Sequence, residues 1–253
     1  MIASMRLGFA EMVIIVLILL LLFGGRWLGG AGKTAGKRAR KKYLEARWIW
    51  TAATGTEAET RSAETDLGRE CARLILEQSG PARAGRQQNI DSIAARLCKP
   101  LDGACFSCRA IAGPEVNAFA LPGGFIFAYD GLCDALADDA DALAFVLAHE
   151  MAHVLLGHPR ERLKREILLR GLSPRAVGAV ELLKTLVLKG YSREDELEAD
   201  RRAVSLMEVA GFRRSGAARV LDMFGRRAPQ EAAVLAYLGT HPTLKERRKN
   251  LED

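Results

Sequence analysis

Residues Leu143 to Leu156 form a nearly unbroken apolar run that nonetheless holds His149-Glu150-Met151-Ala152-His153. A helix this apolar belongs in a core, where an imidazole or carboxylate is costly unless something satisfies it. Residues four apart share one helical face, so both imidazoles point the same way and Glu150 leans towards the same place. That spacing suits a single zinc ion held at about 2.0–2.1 Å, with Glu150 beside it as the base for a bound water. The competing reading is a chance pentapeptide whose histidines are satisfied within the core.

Catalytic zinc keeps three protein ligands and one open position. His158 lies nine residues after His149; on one continuous helix it faces the opposite way, so it reads as a helix-end residue before Pro159. The stretch Ser192 to Asp200, continuing to Met207, reads as a second helix. Its polar face is Glu194, Glu198, Arg201, Arg202, Ser205 and Glu208, whereas Glu196 and Asp200 fall in phase with Ala203, Val204 and Met207. Two acids on a buried stripe need a cation or a donor. Glu196 is therefore the expected third ligand, and Asp200 the carboxylate that orients a ligand histidine. An ordinary charged helix, its register misread by one residue, is the alternative.

Four blocks in order carry a resemblance: Asn117-Ala118-Phe119-Ala120-Leu121-Pro122-Gly123-Gly124, the His149 to His153 helix, Ser192 to Asp200, and Thr240-His241-Pro242 followed by Glu246-Arg247. Together they resemble the gluzincin peptidases, a family that includes HtpX, the type I CAAX prenyl endopeptidase (Ste-type) and mitochondrial and periplasmic quality-control metalloproteases. The resemblance covers roughly residues 85 to 250. It implies a compact zincin-like domain, mainly α with a small β-sheet (α+β), with Glu196 as ligand. It also implies that His241 sits near the zinc, contacting substrate or steadying the tetrahedral intermediate; the alternative is a solvent-facing turn residue before Pro242.

Phe119 to Ala128 is two short apolar runs around Pro122-Gly123-Gly124, a hairpin signal. An extended substrate can add to a sheet edge through main-chain hydrogen bonds. Asn117, Ala118 and Phe119 are the candidate edge; a hairpin that only packs the zinc helix is the other reading. The next helix is expected to begin around Cys133 to Ala135.

The amino terminus carries a separate message. Met12 to Phe23 is continuously apolar, about 18 Å as a helix against a hydrocarbon core of about 30 Å. Arg26, Lys33, Lys37, Arg38, Arg40, Lys41 and Lys42 follow it, with no good small-residue cleavage site, which favours an uncleaved anchor over a signal peptide. The positive-inside rule then puts the amino terminus outside and the remainder in the cytoplasm, at the inner or plasma membrane of a bacterium. Phe9, Glu11, Phe23-Gly24 and Arg26-Trp27-Leu28 resemble the TatA/TatB components of the twin-arginine translocase. That resemblance implies a short membrane helix followed by an amphipathic one on the inner surface, here Lys33 to Trp50.

The expected organisation is therefore an anchor over 1–28, a basic juxtamembrane segment and linker over 29–66, and a peptidase domain over 67–253. Thr51 to Thr65 reads as linker or exposed helix, Leu67 to Gln78 and Ile90 to Leu97 as amphipathic helices. Ala176 to Lys189 is a fairly apolar helical stretch, too short and too charged to span a membrane. The net charge of +6 gathers beside the apolar run, so it reads as attraction to lipid; without interleaved stacking aromatics, no nucleic-acid partner is expected. The five cysteines, an odd number, suit reduced structural thiols. Part of a second metal site at Cys98, Cys105 and Cys108, or a Cys105–Cys108 redox pair, are the alternatives.

The sequence thus points to a membrane-anchored endopeptidase with one zinc per chain, acting on polypeptides, membrane proteins among them, in quality control or processing. Its catalytic residues are Glu150 and His241, its ligands His149, His153 and Glu196. A metal-binding chaperone or pseudo-protease, or an adaptor subunit of a translocation complex, are the readings from other classes. The oligomeric state is not legible.

Overall fold

A computed structural model describes residues 47, 51, 56–101, 103, 106–136, 139–169, 190–227, 241 and 244–252. The anchor, the TatA-like segment apart from Arg47, the 176–189 stretch and Cys105 lie outside the described residues. Among the described residues, no helix is long and apolar enough to cross a membrane.

Helix α1 (Glu57–Gln78) begins at a reciprocal cap. The Thr56 hydroxyl accepts from the Glu59 N–H, and the Glu59 carboxylate accepts from the Thr56 N–H at 2.8 Å. Thr60, Ala63 and Glu64 are buried with Leu67, Cys71 and Ile75 along one face. The stretch expected as linker or exposed helix is thus partly the buried first turns of α1, and a boundary at residue 66 falls inside it. Helix α2 (Arg86–Cys98) follows, then β1 (Ser107–Ile111), β2 (Ala118–Leu121) and β3 (Phe125–Tyr129).

The strands form one sheet in the order β1-β3-β2, with β1 parallel and β2 antiparallel to β3. Strand β1 had no counterpart in the sequence reading. Side-chain alternation sorts the sheet by size. Phe119, Leu121, Phe127 and Ile111 face α1, with the Phe119 and Phe127 rings stacked 5.3 Å apart. Ala118, Ala120, Ala128 and Ile126 join the other cluster, and these mostly small side chains let the central helix approach closely. The hairpin turn also presses on α1: a Cβ at Gly68 would lie 1.9 Å from the Pro122 carbonyl oxygen.

The outer edge of β1 is closed by a side chain. Gln87 donates from Nε2 to the Cys108 carbonyl at 3.0 Å and accepts at Oε1 from the Ala110 N–H at 2.9 Å. Its amide thereby replaces the peptide group of a missing strand.

Helix α3 (Asp130–Ala135) starts directly after β3, earlier than the expected Cys133. Helix α4 (Ala140–Leu155) is capped by Asp139, which accepts from the Ala142 N–H at 2.9 Å and is gripped by Arg219. Every residue from Ala142 to His153 is buried. Sheet, α2, α6 (Arg193–Val209) and α7 (Ser215–Arg227) contribute to the core around it. Gly157, at φ 76°, breaks the run, and α5 starts at His158 (His158–Leu169). His158 is therefore not on a continuation of α4, and the opposite-face argument does not apply to it. Helix α8 (Leu244–Glu252) completes the described elements.

Candidate metal centre

Two helices bring the chemistry together. Helix α4 supplies His149, Glu150 and His153. Helix α6, started by a Ser192–Asp195 reciprocal cap, supplies Glu196 and Asp200 one turn apart. The polar face expected for α6 is exposed, and Glu196, Asp200, Ala203, Val204 and Met207 are buried. His241 enters from the segment before α8 and is also buried.

His149, His153, Glu196 and His241 each offer one ligand atom, all within 4.8 Å of one another. The His149 and His153 Nε2 atoms lie 3.0 Å apart. Glu196 Oε2 is 3.6 Å from the first and Oε1 3.4 Å from the second. Ligands about 2.0–2.1 Å from a tetrahedral centre stand about 3.3 Å from each other, so the donor set fits a zinc-sized ion. His241 Nδ1 is 3.0 Å from Glu196 Oε1 and 3.4 Å from His149 Nε2. Glu150 adds a second sign of fit. Both its carboxylate oxygens are buried and accept no hydrogen bond from any described residue, while Oε1 lies 3.3 Å from His241 Nε2.

The outer contacts set orientation and charge. Asp200 Oδ1 is 2.9 Å from His149 Nδ1, the position from which a carboxylate holds a ligand imidazole. Arg247, fully buried on α8, donates from Nε and Nη2 to the two Asp200 oxygens, each at 2.8 Å. Its Nη1 stands 2.9 Å from Glu196 Oε2 as an ion pair. Burial and Arg247 oppose protonation of His149, yet hydrogen bonds to Asp200 and Glu196 outweigh them and raise its pKa to about 9. Burial raises the Glu196 and Asp200 pKa values, but His241 and Arg247 for Glu196, and Arg247 and His149 for Asp200, bring both below normal. Burial, reinforced by His149, pushes His153 well below the usual imidazole range.

Tyr191, just before α6, stacks on the His153 ring at 3.7 Å and 13°, and the Arg162 guanidinium sits 4.0 Å from the Tyr191 ring centre. Asn117, Ala118 and Phe119 are buried where the hairpin meets the core, and Asn117 Oδ1 accepts no hydrogen bond from a described residue. Of the cysteines, Cys71, Cys108 and Cys133 are buried and Cys98 is half-buried; burial pushes Cys108 up to about 12.

Sequence reasoning gave no role to Arg247, His158 or Tyr191. Arg247 appeared only within the last resemblance block; its stretch, Leu-Lys-Glu-Arg-Arg-Lys-Asn, is highly charged, and nothing local marks one of its cations as core. For His158 a signal existed: Gly157 is a helix-stop residue.

Residues 82–253 match the model of peptidase family M48, and the chain belongs to that family. Residues 5–41 match the model of the mttA/Hcf106 family, in line with the TatA resemblance. The mitochondrial metalloendopeptidase OMA1 of Schizosaccharomyces pombe is 31% identical over 57% of this chain and 45% of its own length. The metalloprotease LoiP of Escherichia coli is 26% identical, over 68% of this chain and 72% of that protein. The metalloprotease YcaL of the same organism is 25% identical, over 81% and 83%. The chain thus spans less than half the length of the fission-yeast relative.

Proposed function

We propose that this chain is a zinc-dependent endopeptidase. One observation carries the reading: the Glu196 carboxylate, from a separate helix, reaches both His149 and His153 Nε2 at metal-ligand spacing. His149, His153 and Glu196 would hold the ion, which when bound supplies a Lewis acid and an acidified water.

The other residues follow from their positions. Glu150, whose two buried oxygens accept no hydrogen bond from a described residue, takes the proton from the attacking water and returns it to the leaving amine. His241 Nε2 lies beside Glu150, placing a donor where charge develops on the carbonyl oxygen. Asp200 and Arg247 keep His149 aimed. The substrate lies along β2. The Asn117 carbonyl accepts from Tyr129 N–H and Phe119 pairs with Phe127, so ladder alternation turns the N–H and C=O groups of Ala118 and Ala120 away from β3. Both residues are buried, so pairing there needs this edge uncovered; once open, it binds main chain and accepts many sequences.

The metalloprotease names of the relatives support polypeptide substrates. The apolar Met12–Phe23 run and the mttA/Hcf106 match support a bilayer anchor. The basic residues from Arg26 to Lys42 support a peptidase domain on the cytoplasmic side of a bacterial inner membrane, where membrane proteins would be within its reach. Quality control or processing is the corresponding role.

The test is metal content by elemental analysis together with casein cleavage, on wild type and Glu150→Gln. The expected result is one zinc per chain in both, activity lost on chelation, and turnover cut about 10²–10⁴-fold in the variant. Chelator-resistant cleavage, or near-normal turnover in Glu150→Gln, defeats the reading.

A further inference from the structure

His158 has no part in the chemistry above, yet it is buried against the centre. Its Nδ1 lies 2.8 Å from Nδ1 of His153. On its other side Nε2 faces two carboxylates of α6, Asp195 Oδ1 at 3.7 Å and Glu198 Oε2 at 3.6 Å. Two ring nitrogens 2.8 Å apart share one proton, and the role of His153 decides where it sits. A neutral imidazole that offers Nε2 to a metal carries its proton on Nδ1. His158 Nδ1 must then be the bare acceptor, and its own proton lies on Nε2, the tautomer that Asp195 and Glu198 favour.

The Tyr191 stack cannot do this work. It fixes the plane of the His153 ring, but a half-turn about χ2 keeps that plane while exchanging Nδ1 with Cδ2 and Nε2 with Cε1. Stacking is nearly indifferent to the exchange; a hydrogen-bond acceptor at Nδ1 is not. Asp200 serves His149 in this way, but its 2.9 Å contact is to His149, whereas His153 has the imidazole.

We propose that His158 is a positioning residue of the metal centre: backed by Asp195 and Glu198, it accepts the Nδ1 proton of His153 and so aims the other ring nitrogen at the ion. The inference rests on the zinc reading above.

The experiment measures zinc affinity of the full-length protein by chelator competition, and unfolding of the same samples in excess chelator. The variants are His158→Leu, which removes the acceptor, His158→Gln, which restores a carbonyl oxygen, and Glu198→Gln at a half-exposed position that tolerates change. His158→Leu should bind zinc about 10–100-fold more weakly. His158→Gln should recover most of that loss, and Glu198→Gln should lose about two- to fivefold. Metal-free unfolding midpoints should not follow this ranking. Zinc bound as tightly by His158→Leu as by wild type overturns the inference. So does a His158→Gln as weak as His158→Leu whose metal-free stability has fallen equally, since that is a packing effect. A wild type that binds no zinc removes the metalloenzyme reading itself, and this inference with it.

Discussion

Arg247 holds Asp200 through two parallel hydrogen bonds of 2.8 Å in a site where neither side chain touches solvent. A planar fork meeting a carboxylate in this way fixes direction as well as charge. Because Asp200 faces His149, the grip of α8 on α6 is passed on to a residue of α4.

Removing that cation should be costly. Arg247→Met is expected to destabilise the metal-free fold by about 3–5 kcal/mol, since it strands Asp200 and Glu196 without their buried partner. Arg247→Lys keeps the charge but not the fork, and should recover only part of the loss. Chemical unfolding in excess chelator measures both.

His241 separates metal retention from turnover. His241→Ala leaves His149, His153 and Glu196 in place, so metal content should stay near one zinc per chain while kcat falls by about 10²-fold or more. Metal content and steady-state cleavage, measured on one preparation, check this. Loss of zinc would make His241 a required ligand instead.

The start of α4 gives a pH signature. The Arg219 hydrogen bond, helped by the Ala142 N–H, holds the Asp139 carboxyl below its normal 3.8. Its contribution is therefore complete above about pH 3.8 and is lost as pH falls through the lower folded value. Thermal midpoints of wild type should drop in that window. Asp139→Asn, which can still cap, should show a shallower drop there and little pH dependence of its own.

Close packing of α1 on the hairpin is testable at Gly68. The added methyl of Gly68→Ala would meet the Pro122 carbonyl oxygen, a backbone atom that cannot swing aside. A loss of about 1–3 kcal/mol is expected despite the better helix propensity of alanine. Denaturant unfolding reads it, and an unchanged midpoint would mean that α1 slides freely on the turn.

Much of the site was legible because helical periodicity is a local property. The four-residue spacing of His149 and His153 and the phase of Glu196 and Asp200 with Ala203 and Met207 follow from one chain segment at a time. The hairpin around Pro122-Gly123-Gly124 was legible for the same reason. Family resemblance added His241, whose surroundings in the sequence say nothing of a buried site.

What the sequence determined by itself, then, is which side chains share a face and which faces must be buried. Tertiary structure alone decided what those faces meet: that Arg247 of a highly charged helix lies in the core, that Gln87 seals the β1 edge, and that His158 turns back onto His153. The reason is physical. A residue's burial depends on which distant element covers it, and a cation such as Arg247 becomes tolerable inside only once two carboxylates from another helix are already there to meet it.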